Sequence, residues 1–160
     1  MSRSMKTKYI FFVALLWLIS MPLLSGQVQT NQKNMHQTFE IPDTITSVEL
    51  DLYVNDKYRV ESWAGNHILA ETKVQLIEAS EATLNFFVKM GRYKLEMEQT
   101  GKAIKLVSLD KERRSIRSRN SAEEASVEVV NVRIFLPKDF TQQSDTLWSK
   151  PEEETEQTDN

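Results

Sequence analysis

From Val48 to Leu76 apolar and polar residues alternate through three successive runs. Val48, Leu50, Leu52 and Val54 share one side, with Glu49, Asp51 and Tyr53 between them. Tyr58, Val60 and Ser62 interleave with Arg59, Glu61 and Trp63, and Ile68, Ala70, Thr72, Val74 and Leu76 repeat the pattern. A period of two marks strands with one buried and one wet face. A three-residue turn over Asn55–Lys57 sets Val54 opposite Tyr58 and Leu52 opposite Val60. A loop at Ala64, Gly65 and Asn66 sets Ser62 opposite Ile68 and Val60 opposite Ala70. Slipping either register by one residue would turn an apolar set into water, so these runs predict an antiparallel meander.

The same reading extends outward. Phe39 and Ile41 start a short strand that Pro42 and Asp43 end. After Leu76 the period changes: Ser80 is placed to cap a helix, Leu84, Phe87 and Val88 share one helical face, and Gly91 is placed to end it. Phe86 and Met90 widen its apolar side, and the helix is expected to plug an open end or face of the sheet. Tyr93, Leu95 and Met97 resume the alternation. A two-residue loop at Thr100 and Gly101 pairs Met97 with Ile104 and Leu95 with Leu106. Asp110 to Glu124 is dense in charge and predicts a solvated loop. The last strand, Ser126 to Leu136, is apolar on both faces in Val127, Val129 and Phe135 against Val130, Val132, Ile134 and Leu136, which suits a central strand covered on both sides.

The termini change the picture. Met1 to Lys8 is positive, Tyr9 to Leu24 almost wholly apolar, and Ser25 and Gly26 are small, which is the order of a secretory signal peptide over residues 1–26. Gln27 stands where a lipoprotein would carry its lipid-bearing Cys, so lipidation is excluded on chemical grounds. Residues 27–37 read as a flexible leader, 38–140 as a β-rich domain and 141–160 as an acidic disordered tail. Export to the periplasm or beyond follows from this reading. An uncleaved segment would instead retain the chain at the membrane as a regulatory or sensing partner of an envelope protein.

The 160 residues contain no cysteine, which excludes disulfides, thiol catalysis and Cys-ligated clusters. Net charge is −3, and without residues 1–26 there are 17 basic against 23 acidic residues, so no basic field gathers nucleic acid. The two histidines, His36 and His67, have no partner at ligand spacing, and no nucleophile, zinc or phosphate-loop motif is present. No metal, cofactor or catalytic residue is therefore assigned. Glu49, Asp51 and Glu61 crowd the exposed face of one expected hairpin, as solvated carboxylates do. Arg113, Arg114, Arg117 and Arg119 form the sharpest charge cluster. Four guanidinium groups suit the phosphates and carboxylates of lipopolysaccharide or acidic glycans, or else pair with Glu112, Glu123 and Glu124 in a solvated loop. Tyr53 and Trp63 project from the polar side of the meander, either to stack a sugar or a protein partner or to lie under the helix or the last strand. Bare sheet edges are candidates for pairing with a second copy.

The segments VELDLYVNDKYRVESWAGN, KMGRYKL and VRIFLPKDF resemble those of exported, adhesin-like β-strand repeat proteins of Bacteroidetes, over roughly Phe39 to Phe140. The resemblance implies stacked β-structure and a non-enzymatic role in the envelope, with a glycan or protein partner. The sequence as a whole predicts an all-β fold, mainly an antiparallel meander, sandwich-like or a short β-solenoid, with one short helix near residues 80–90.

Overall fold

A computed structural model describes residues 28–117 and 125–151, with only the backbone course of Arg117 and Ala125. Residues 1–26, read from the sequence as a signal peptide, lie outside the described residues, as do Arg119 and residues 152–160. The fold is all-β with one short helix. In chain order the elements are β1 (Thr30–Glu40), β2 (Ser47–Asp51), β3 (Lys57–Trp63), β4 (His67–Ile77), α1 (Glu81–Lys89), β5 (Leu95–Thr100), β6 (Ala103–Ser108), β7 (Ile116–Arg117), β8 (Ala125–Pro137), β9 (Thr141–Gln142) and β10 (Leu147–Ser149).

Two mixed sheets carry these strands, one in the order β1-β4-β8-β3 with β7 on β8, the other β5-β6-β2-β10-β9. They share one core, in which Val48, Leu50, Ile104, Leu106 and Trp148 of the second sheet meet Ile68, Ala70, Val74, Leu76, Val130, Val132, Ile134 and Leu136 of the first. The result is a sandwich, the arrangement that two one-sided sheets adopt to remove their apolar faces from water. Single side chains bridge both flanks. The Gln37 amide of edge strand β1 donates to the Leu95 carbonyl and accepts from the Leu95 N–H of edge strand β5, both at 2.9 Å. The Tyr58 hydroxyl of edge strand β3 donates to the Asp145 carbonyl at 3.0 Å, just before β10.

The predicted meander is corrected. β2 and β3 lie in different sheets, and β3 and β4 do not pair, because β8 lies between them, parallel to β3 and antiparallel to β4. Val60 and Ala70 both face Ile134, and Tyr58 and Thr72 both face Val132. The inward parity read from the sequence is therefore retained while the neighbour changes. At the end of β2 the alternation breaks down: Val54 sits in the turn, 87% exposed, instead of opposite Tyr58. β8 is central, as its two apolar faces suggest, but its outer face is open, and Val127 on that face is 52% exposed.

Three further segments differ from expectation. The residues read as a leader form β1, whose eleven residues pair with β4 from Thr30↔Ile77 to Glu40↔His67. Met35 and Phe39 pack on the core, and Asn31 donates to the Ala79 carbonyl, so a polar composition is tied down by side-chain hydrogen bonds. The residues read as the start of a disordered tail form β9 and β10, because the Trp148 side chain is buried in the core, where its backbone pairs beside Val48. In the β5–β6 hairpin the turn is Gly101–Lys102, not Thr100–Gly101. Thr100 pairs Ala103 and Met97 pairs Leu106, a two-residue slip that keeps the faces.

The helix forms where the sequence places it. The Ser80 hydroxyl accepts from the Thr83 N–H, Leu84 is buried, and Gly91 terminates it at φ +79°. Phe86 and Met90 face solvent, however, at 57% and 66% exposed.

Candidate functional site

The outer face of the β1-β4-β8-β3 sheet is covered by no described element, and register sets its side chains in rows. Asn34, Lys73, Asn131 and Lys57 form one row, and His36, Glu71, Arg133 and Arg59 the next. These two rows, with Met35, Thr72, Val132 and Tyr58 of the row between them, line a cleft of about 530 Å3. The two outward rows are two residues apart along each strand, and neighbours within a row are one strand spacing, ~4.8 Å, apart.

Arg133 is the fixed point of this face. Its Nε and Nη2 donate to the two oxygens of Glu61 at 3.2 and 3.1 Å, and its Nη1 donates to Glu71 at 2.9 Å. Its guanidinium also lies 4.8 Å from the centre of the Phe135 ring. Arg59 reaches the same Glu61 at 2.9 Å, and His36 stands 3.7 Å from Glu71. The hydrogen bond from Arg133, ahead of the charges of Arg133 and Arg59, holds the Glu61 carboxyl below its ordinary pKa despite some desolvation. Glu61 and Glu71 are thus both held in guanidinium contacts. Lys57 and Lys73 stand apart: among the described residues no carboxylate lies within 4.0 Å of either.

Trp63 closes the far end of this face. Its indole N–H donates to the His67 carbonyl at 3.0 Å, its ring meets the His67 ring edge-on at 4.6 Å and it leans over Phe135 at 6.1 Å. Gly65 passes so close beneath that a Cβ there would lie inside the indole, which is why the loop needs glycine.

Tyr53 and Arg113 lie elsewhere, in a buried ionic knot. The Arg113 guanidinium forms a two-pronged pair with Asp56 at 2.6 and 2.8 Å, with side chains 2% and 3% exposed. It is stacked between the Tyr53 and Tyr93 rings, at 4.7 and 5.2 Å. Beside it Arg92 grips Glu128 at 2.9 and 3.0 Å and donates to the Arg114 carbonyl at 2.7 Å. Burial raises the Asp56 carboxyl pKa, and Arg113 offsets that only in part. Burial likewise raises that of Glu128, but the hydrogen bonds from Arg92 and nearby guanidinium charge reverse it, leaving Glu128 below its ordinary value. Burial, then Glu128, pushes the Tyr93 hydroxyl up; the hydroxyl is turned toward that carboxylate without a hydrogen bond of good geometry.

The structure therefore separates the residues that the sequence grouped. Arg113 does not belong to a solvated loop; Arg114 is exposed, Arg117 lies in β7 with its side chain outside the described residues, and Arg119 is outside them altogether. Tyr53 and Trp63 share no contact: one stacks in the knot, the other packs on the last strand. Glu49 and Asp51 are removed from Glu61 to the other sheet, where Lys105 pairs with both at 3.3 and 3.2 Å. The rows around Arg133 escaped the sequence reading. Their signal was the wet parity of β3, β4 and β8, but their adjacency depends on strand order.

Fold and site define a class: a two-sheet β-sandwich with one open, charged and pre-ordered sheet face. No group of three or more His, Asp or Glu side chains among the described residues is placed to hold a metal, and no helix there is long and apolar enough to cross a membrane. Compared with known proteins, the chain matches no family model, no curated protein and no solved structure.

Proposed function

We propose that this protein is a non-catalytic binding module of the cell envelope, and that it meets its partner with the open face of the β1-β4-β8-β3 sheet. The observation that carries the reading is Arg133, fixed by three charge-assisted hydrogen bonds and an aromatic ring on a face that no described element covers. A recognition surface gains affinity when its polar groups are ordered before the ligand arrives. Acid or base catalysis by the carboxylates of this cleft, in contrast, would need one of them free to exchange its proton, whereas Glu61 and Glu71 are both engaged by guanidinium. The signal-peptide pattern of residues 1–26 and the resemblance to exported adhesin-like proteins support the envelope as the setting.

The test is binding to an array of envelope glycans by the purified protein, its Arg133→Ala variant and its Arg114→Ala variant. The face reading expects Arg133→Ala to lose about tenfold or more in affinity, the scale of one charge-assisted hydrogen bond, with Arg114→Ala unchanged. Loss in Arg114→Ala alone would move the site to the loop and overturn the reading.

A further inference from the structure

We infer that the row Lys57–Asn131–Lys73 seats the acidic group of a short anionic oligosaccharide, an inference that rests on the binding-module reading above and names its ligand class. The guanidinium groups of the neighbouring row, Arg59 and Arg133, are balanced by Glu71 of that row and Glu61 of the row beyond it. Lys57 and Lys73 are not balanced, and register places them on either side of Asn131, one on β3 and one on β4. Two strand spacings separate their backbones, about 10 Å, and long lysine stems let both ammonium groups converge above the middle strand. Among the described residues no hydrogen bond engages the Asn131 amide. Its N–H groups and the two ammonium groups form a set made only of donors, which suits a carboxylate or sulfate.

Size and lining decide the rest. A cleft of about 530 Å3 is that of a small-ligand site and not of a docked globular partner. Polar heads ring the cleft, with Asn34 and His36 beside the lysines to meet hydroxyl groups, while its lining as a whole is more apolar than polar, so the occupant has polar edges and apolar faces, as a sugar ring does. Nucleic acid is a poor match, because tight backbone binding draws on roughly six to ten phosphate contacts and this row offers two unbalanced cations.

Titration calorimetry on the purified protein tests the assignment with four probes: tetragalacturonate, a sulfated chondroitin tetrasaccharide, neutral maltotetraose and the peptide tetraglutamate. One or both acidic sugars bind, weakening as salt is raised, while maltotetraose and tetraglutamate bind at least tenfold more weakly. Which acidic sugar is tighter tells carboxylate from sulfate. The exposed double substitution Lys57→Gln/Lys73→Gln reduces acidic-sugar affinity by about tenfold or more, and Lys102→Gln, on the hairpin turn of the other sheet, leaves it unchanged. Acidic-sugar binding untouched by the double substitution overturns the inference. Tetraglutamate binding as tightly as the sugars overturns the saccharide class. Neutral-sugar binding that is lost in Arg133→Ala but kept in the double variant overturns this inference while leaving the binding-module reading in place. Binding of no glycan at all overturns both.

Discussion

Asp56 and Arg113 show how one residue pair governs a whole end of the sandwich. The pair joins the turn after β2 to the segment before β7, and both side chains are out of water. A buried ion pair of this kind contributes little net stability against a well-packed apolar substitute, yet losing one partner leaves the other charged and unsolvated. Asp56→Ala is therefore predicted to destabilise the protein by about 3–5 kcal/mol. Urea unfolding measures it; a loss of under about 1 kcal/mol would place Arg113 in contact with solvent. The sequence showed the charge of Arg113 but not its fate. A run of arginines reads as a surface loop because nothing local reveals a carboxylate fifty-seven positions away or two tyrosine rings around it. For the same reason Tyr53 looked like an exposed aromatic: its strand parity is outward, but β2 ends at Asp51 and parity ceases to apply two residues later.

At the level of elements, local rules were legible where the interactions themselves are local. The helix is the clearest case, with Ser80 accepting from Thr83 three residues on, Glu81 in the first turn, Lys89 in the last and Gly91 in the left-handed conformation. Ser80→Ala is predicted to cost about 1 kcal/mol, the usual worth of such a cap. The midpoint of thermal unfolding should fall accordingly, and an unchanged midpoint would show that tertiary contacts alone hold the helix. β1 and β10 were illegible for the opposite reason. β1 is rich in Gln and Asn, which composition assigns to a flexible leader, yet its amides act across space: Gln37 on Leu95 and Asn31 on Ala79. β10 is three residues long, and its place is set by one buried indole.

For the whole molecule, the period of two determined which side chains face inward and left open which strands are neighbours. Val60 and Ala70 were expected to touch; they lie in one row with Ile134 between them. β8, thirteen residues long, fills that place because its hydrogen-bonding edges satisfy β3 and β4 together. The candidate site follows from this insertion. Lys57, Asn131 and Lys73 belong to three strands far apart in sequence, and only the order β4-β8-β3 sets them side by side. The central claim is thus the strand order, and a chain without cysteine makes it directly measurable. Disulfides need Cα atoms within about 7 Å, a limit that adjacent strands meet and strands two places apart, near 10 Å, do not. Mild oxidation of a Lys57→Cys/Asn131→Cys variant should close a disulfide, and a Glu61→Cys/Leu69→Cys variant, whose positions would be partners in a meander, should remain reduced. Ready closure of the second pair with none of the first would contradict the account.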